Sequence, residues 1–329
     1  MEENIEEQIF EQRTDLSGLQ QSVESLKNEI SKVIVGQEQM VELLLAAILA
    51  DGHVLIEGVP GVAKTLTAKL LSKSISVGFS RIQFTPDLMP SDVIGTTLFN
   101  PKETSFQFKR GPIFSNIILI DEINRAPAKT QAALFEVMEE RQITVDGQSY
   151  HLEKPFMVVA TQNPVEQEGT YHLPEAQLDR FLFKITVVYP TPEQEFSIVM
   201  HHHQSRPESF LEKIHPVISA DDIENLRTQV RSIHVEDKLI SYITTIVGNT
   251  RANKSIYLGA SPRASIGILN GAKALAAIRG RDFVTPEDII FISMPVLRHR
   301  ITLSPEKEME GANADEVIKQ IIEAVEVPR

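Results

Sequence analysis

The stretch from His53 to Leu71, HVLIEGVPGVAKTLTAKLL, limits what this chain can fold into more than any other. An apolar run to Glu57 is followed by a turn rich in Gly and Pro. Lys64-Thr65 and helically spaced Leu66, Leu70 and Leu71 come next, which predicts strand, loop and helix. The loop fits the phosphate-binding spacing G-x-x-x-x-G-K-[ST] at Gly58, Lys64 and Thr65, with Ala63 where a second glycine is usual. Such a loop turns backbone N–H groups onto a polyphosphate at a helix N-terminus, extends a lysine to the β/γ-phosphates and offers a hydroxyl to Mg²⁺. Gly58 and Gly61 supply most of the backbone freedom, and with Val62, Ala63, Lys64, Thr65 and Leu66 they make the expected nucleotide-binding set. Val35 joins that set, because Ile34-Val35-Gly36-Gln37 breaks the chain between two helical patterns and brings small apolar residues to where an adenine ring could lodge.

Asn116-Ile-Ile-Leu-Ile-Asp121-Glu122 supplies the second half of a nucleotide site. A continuous apolar run ending in two acids reads as a buried parallel strand that delivers carboxylates to the ligand crevice. Asp121 is expected to hold Mg²⁺ through water, and Glu122 to polarise an attacking water. A core strand followed by a solvated acidic pair is the plain alternative, and the phosphate loop upstream disfavours it.

Length points to more than one core, since the chain has 329 residues. Its formal charge is 32 − 45 = −13 with no basic block, which disfavours non-specific adhesion to a nucleic-acid backbone. The absence of cysteine fits a reducing compartment. The acidic start, MEENIEEQ, lacks the order of a secretory signal, and no apolar stretch approaches the ~18 residues a membrane span needs. The expectation is a cytoplasmic protein with no membrane insertion.

Apolar residues at Leu16, Leu19, Val23, Leu26, Ile30 and Val33 predict an N-terminal helix, packed on the nucleotide domain rather than forming a coiled-coil seam. Thr96–Phe99 and Ser105–Lys109 flank Asn100-Pro101-Lys102-Glu103 and predict one hairpin; Asp146-Gly147 between short strands predicts another. Phe156–Ala160 predicts a buried strand ending near Asn163, whose amide could orient the lytic water. After Tyr189-Pro190-Thr191-Pro192 the pattern becomes helical only, with caps at Ser219–Asp222 and Thr285–Asp288. His201-His202-His203 cannot converge on one ion, because successive helical residues point about 100° apart, so it reads as a solvated helix end.

GVPGVAKT, IDEINRAPAKTQAALFEVMEE, ATQNPVEQEGTYHLPEAQLDRF and GASPRA together resemble the MoxR family of AAA+ ATPases, from about Ile34 to Arg300. Ala63 departs from the general AAA+ loop, but MoxR-type proteins show it too. The resemblance implies an α/β fold: a P-loop AAA+ domain with a five-stranded parallel sheet over residues 1–190, then a smaller all-helical lid over 191–329. Lys64 and Thr65 match Walker A, Asp121 and Glu122 Walker B, and Asn163 sensor 1. Arg180 matches the arginine finger that reaches a neighbouring subunit's γ-phosphate, and Arg263 the sensor 2 arginine. The hairpins at about 96–110 and 142–153 match the helix-2 insert and the pre-sensor-1 hairpin. The implied activity is ATP hydrolysis with Mg²⁺, in a hexameric ring. It would drive chaperone-like remodelling or maturation of a client complex, metal insertion included, with a von Willebrand factor A domain partner. A magnesium-chelatase-like motor subunit is the nearest alternative and a nucleic-acid motor a more distant one.

Overall fold

The computed structural model describes residues 16–59, 61–163, 171, 173–204 and 211–328. Contacts divide the chain into two compact units, Leu26–Glu224 and, together with the segment ending at Ser25, Asn225 onward. Helix α1 (Ser17–Ser31) carries the chain from one to the other. Of its predicted stripe, Leu16, Leu19, Val23, Leu26 and Ile30 are buried while Val33 is half-buried past the helix end, so it is a packed helix and not an exposed seam. Its residues up to Ser25 group with the smaller unit and not, as expected, with the nucleotide domain.

In the larger unit follow α2 (Glu38–Leu49), β1 (His53–Gly58), α3 (Lys64–Ser74), β2 (Phe79–Gln83), α4 (Pro90–Ile94), β3 (Gly95–Asn100), β4 (Ser105–Arg110), β5 (Ile117–Asp121), α5 (Ala128–Glu140), β6 (Gln142–Val145), β7 (Gln148–His151), β8 (Met157–Gln162), α6 (Glu175–Leu178), β9 (Phe181–Val187) and α7 (Pro192–Gln204). Five strands form one sheet in the order β2-β5-β8-β1-β9, every pair parallel. Sheets of this kind are covered on both faces, which is why β1, β5 and β8 are apolar almost without interruption. Phe135 and Met138 of α5 pack with Ile118, Ile120, Val158 and Phe181 in the core. Each such side chain contributes roughly 1.5–3 kcal/mol on burial. At the other end of the strands buried His53 ties three elements: its Nδ1 accepts from Val158 N–H at 3.0 Å, and its Nε2 lies 3.2 Å from Met138 O.

Residues 191–204 and 211–224 pack within this unit, beyond the proline-rich stretch at 189–192. Val217 N–H donates to Ser74 O at 2.9 Å, and His215 N–H to Glu29 at 3.2 Å. The contact boundary therefore follows Glu224.

Both hairpins form. Asp146 and Gly147 have φ of 51° and 79°, the positive pair that a two-residue turn matched to strand twist requires. At the neck of the other hairpin, a Cβ on Gly95 would lie 2.3 Å from Lys109 O, so no larger residue fits there. The hairpins also touch one another. Thr97 Oγ1 donates to Asp146 Oδ2 at 2.7 Å, and the Phe108 and Tyr150 rings lie 4.8 Å apart.

The smaller unit is entered along α8 (Ala220–Arg231) and contains α9 (Asp237–Ala252), β10 (Ile256–Leu258), α10 (Pro262–Ile278), α11 (Pro286–Leu297), β11 (Thr302–Leu303), α12 (Pro305–Met309) and α13 (Ala314–Ala324). It is not all helix: β10 and β11 pair antiparallel. Strands of three and two residues are too short to show an alternating pattern in sequence. The cap expected at Thr285–Asp288 is a capping box. Asp288 is fully buried and receives two bonds from Arg281, at 2.6 and 2.7 Å. Asp288→Ala should cost about 3–5 kcal/mol, because it strands Arg281 and removes the cap together. A denaturant titration should show this as a lowered midpoint, and a loss under about 1 kcal/mol would refute it.

Among the described residues, no helix is long and apolar enough to cross a membrane.

Candidate functional site

Because the five strands are parallel, their C-terminal ends share one edge of the sheet. β1 ends at Gly58 and enters the phosphate loop. β5 ends at Asp121-Glu122, and β8 at Gln162-Asn163. The register fixes this alignment, pairing Ile56 with Thr161 and Ile120 with Ala160.

Gly58 is required by packing: a Cβ would meet Val187 O at 2.7 Å. Ala63 occupies the left-handed region at φ 59°, ψ 18°, as N-cap of α3. Sterics thus explain why a glycine is usual here, and the alanine carries the strain instead. Ala63→Gly should raise stability by up to about 1 kcal/mol and leave nucleotide affinity within about threefold. Denaturant midpoints and calorimetry check the two halves; a tenfold loss of affinity would show that the methyl itself is needed.

Lys64 Nζ donates to Gly58 O at 2.5 Å, folded back over the loop. Burial pushes its ammonium below the usual lysine range, against the pull of Asp121, Glu122 and Glu57. A polyphosphate bound in the loop would add negative charge and oppose that lowering.

Asp121 is nearly buried. Its Oδ1 accepts from Thr161 Oγ1 at 3.1 Å and its Oδ2 from Arg81 Nε at 2.6 Å. Glu122 adopts φ 57°, ψ 52°, and its N–H donates to Thr161 Oγ1 at 3.1 Å. Its carboxylate accepts from Gln83 Nε2 at 2.7 Å and pairs with Arg125 Nε at 3.2 Å. Thr65 and Asp121 offer only hard oxygen donors, the set that suits Mg²⁺, so the residues present fit that ion.

Beside the loop, Val35, Gly61, Val62, Ala63 and Leu66 line one side of an open cleft of about 160 Å³. Ile198, His201 and His202 of α7 line it too. The histidine run is therefore not solvent-facing alone: adjacent helical residues cannot share an ion, but two of them flank this cleft.

Arg180 stands away from this edge. Arg180 precedes β9, whose first residue, Phe181, pairs with His53 at the start of β1. It lies at the opposite end of the sheet from Asp121, separated by a strand length of roughly 20 Å. There its guanidinium donates to Phe135 O, and its Nε lies 3.9 Å from Glu139. Arg180 cannot reach the carboxylate edge of its own chain. Arg263 belongs to the smaller unit, exposed in the first turn of α10, where its N–H donates to Ser261 Oγ at 3.2 Å.

Sequence reasoning missed Arg81, Gln83, Arg125 and Thr161. Arg81 and Gln83 alternate on an edge strand, which reads as a solvated face until the pairing of Gln83 with Asp121 is known. Of the segment after Asn163, residues 164–170 lie outside the described residues.

The family model for the ATPase family associated with various cellular activities (AAA) matches residues 53–183, and an AAA lid domain model matches 248–321. The chain is 48% identical to the uncharacterized protein YeaC of Bacillus subtilis, over 91% of this chain and 92% of that one. It is 42% identical to the chaperone MoxR1 of Mycobacterium tuberculosis, over 95% and 85% of the two chains. A crystal structure of a protein assigned as an ATPase from Cytophaga hutchinsonii superimposes with a TM-score of 0.88 at 41% identity, covering 96% of this chain and 97% of that one. On these matches and the five-stranded parallel sheet beneath the phosphate loop, the chain belongs to the MoxR family of AAA+ ATPases and is an ATP hydrolase.

Proposed function

We propose that this ATPase is Mg²⁺-dependent, works as a ring with its sites between subunits, and spends the hydrolysis free energy on chaperone-like remodelling or maturation of a client protein complex. The observation that carries the catalytic part is the convergence of the Lys64 ammonium with Asp121 and Glu122 on one sheet edge. Lys64 neutralises the β/γ-phosphates, Thr65 and Asp121 hold the metal, Glu122 takes the proton of the attacking water, and Asn163 orients that water. Bound Mg²⁺ would supply positive charge to the phosphoryl oxygens. Val35, Val62 and Leu66 hold the base. The ring is supported by Arg180, which stands too far from its own Asp121 to act except on a neighbour, and Arg263 contacts the nucleotide from the lid.

The client role is supported by the likeness to the chaperone MoxR1 and by the linked hairpins. Phe99 and Phe106 pair at 5.3 Å and stay largely exposed, at 53% and 74%. An exposed aromatic pair on an inserted hairpin is suited to gripping an apolar segment. The partner is a von Willebrand factor A domain protein, and the setting is cytoplasmic.

Phosphate release in Mg²⁺ against EDTA tests the activity, and pull-down from the source cell tests the partner. Replacing residues 96–110 by a tight turn should preserve basal hydrolysis and abolish any client effect. Loss of nucleotide binding in that variant would mean the hairpin is structural.

A further inference from the structure

The contacts that hold Asp121 come from two directions, and one of them is a cation. Arg81 and Gln83 are two apart on β2, so both side chains stand on the same face. The register sets Gln83 directly beside Asp121. Arg81 Nε lies 2.6 Å from Asp121 Oδ2, and its Nη2 reaches Gln83 Oε1 at 3.4 Å. With Thr161 on Oδ1, both oxygens of Asp121 are engaged by the protein itself.

The two partners differ in what they lose on separating. The Arg81 side chain is 54% exposed, so its guanidinium can turn into water at little cost. That of Asp121 is 11% exposed, so its oxygens are held by protein partners rather than by bulk water. The Lys64 ammonium is itself hydrogen-bonded to Gly58 O.

We propose that Arg81 is a positioning residue that stands in for the divalent cation at Asp121 and must swing out to solvent when the metal–nucleotide complex is taken up. The guanidinium holds the carboxylate aimed beforehand, and having to displace it weakens net metal affinity. Arg81 thereby sets how strongly nucleotide binding depends on the metal. This inference rests on the Mg²⁺-dependent reading above, and it concerns a residue with no place among the motifs that carry that reading.

Calorimetric titration with the non-hydrolysable imido analogue of ATP, in Mg²⁺ and in EDTA, separates the possibilities. Arg81→Gln removes the charge that Mg²⁺ displaces, so the Kd in Mg²⁺ should tighten by about threefold to tenfold, the range for one charge-assisted bond partly screened by water. The Kd in EDTA should not tighten. Arg81→Lys, which keeps a cation, should stay nearer the wild type in Mg²⁺. An Arg81→Gln affinity in Mg²⁺ that is unchanged or weaker overturns the proposal. So does equal tightening in both media, or an Arg81→Lys variant that matches Arg81→Gln. A wild type that binds the analogue equally well in Mg²⁺ and EDTA would instead defeat the metal-dependent reading beneath it.

Discussion

Glu122→Gln should bind ATP about as well as the wild type and turn it over about 10²–10⁴-fold more slowly, the range for losing a positioned general base. The substitution is close to isosteric. The side chain sits between Gln83 and Arg125, and an amide can still accept from both. The strained backbone at φ 57° and its bond from Glu122 N–H to Thr161 are untouched by a change beyond Cγ. What disappears is the negative charge that takes a proton from water. Single-turnover phosphate release alongside equilibrium binding separates the effects. Hydrolysis within a few-fold of wild type would show that Glu122 is not the base.

Arg180→Ala carries the other large effect. An arginine supplied to a transferring phosphoryl group is worth roughly 10³–10⁵ in rate in other NTPases. Arg180 sits at the end of the sheet away from its own phosphate loop, anchored to Phe135 O and near Glu139 of α5. The loss should therefore fall on turnover alone, with nucleotide binding to the isolated subunit unchanged. Wild-type specific activity should also rise with protein concentration until assembly saturates. The hydrogen bond to Phe135 O has a consequence for stability as well: the variant frees a helical carbonyl that other groups already serve, so the melting temperature should move only slightly. A large fall in melting temperature with proportionate loss of activity would mean that Arg180 is a packing residue.

Much of this arrangement was legible because its signals are local. A phosphate loop needs a strand before it and a helix after it, and His53–Gly58 and Lys64–Ser74 are both readable from spacing. Asp146-Gly147 specifies its turn from two residues, and Thr285 and Asp288 specify a cap from three apart. The unread parts depend on which strands lie side by side. Arg81 and Gln83 acquire meaning only when β2 is known to neighbour β5, since the intervening chain contains a helix and a whole hairpin. Thr161 looks like one more residue of a buried strand until its hydroxyl is seen between Asp121 and the Glu122 N–H. The segment after Tyr189 was misleading for a related reason. Its prolines mark a local turn, whereas long-range bonds such as Val217 to Ser74 decide which body it packs with. The β10–β11 pair is so short that no periodicity could reveal it.

The most direct test of the shared active site is to mix Arg180→Ala and Glu122→Gln subunits, each inactive alone, under conditions where subunit exchange is shown by fluorescence transfer. In mixed rings, a site with intact Glu122 meets a neighbour with intact Arg180, so phosphate release should recover to a substantial fraction of the wild-type rate and peak near equal proportions. If exchange is complete and no activity returns at any ratio, Arg180 does not act across the subunit boundary and the account of a shared site is wrong.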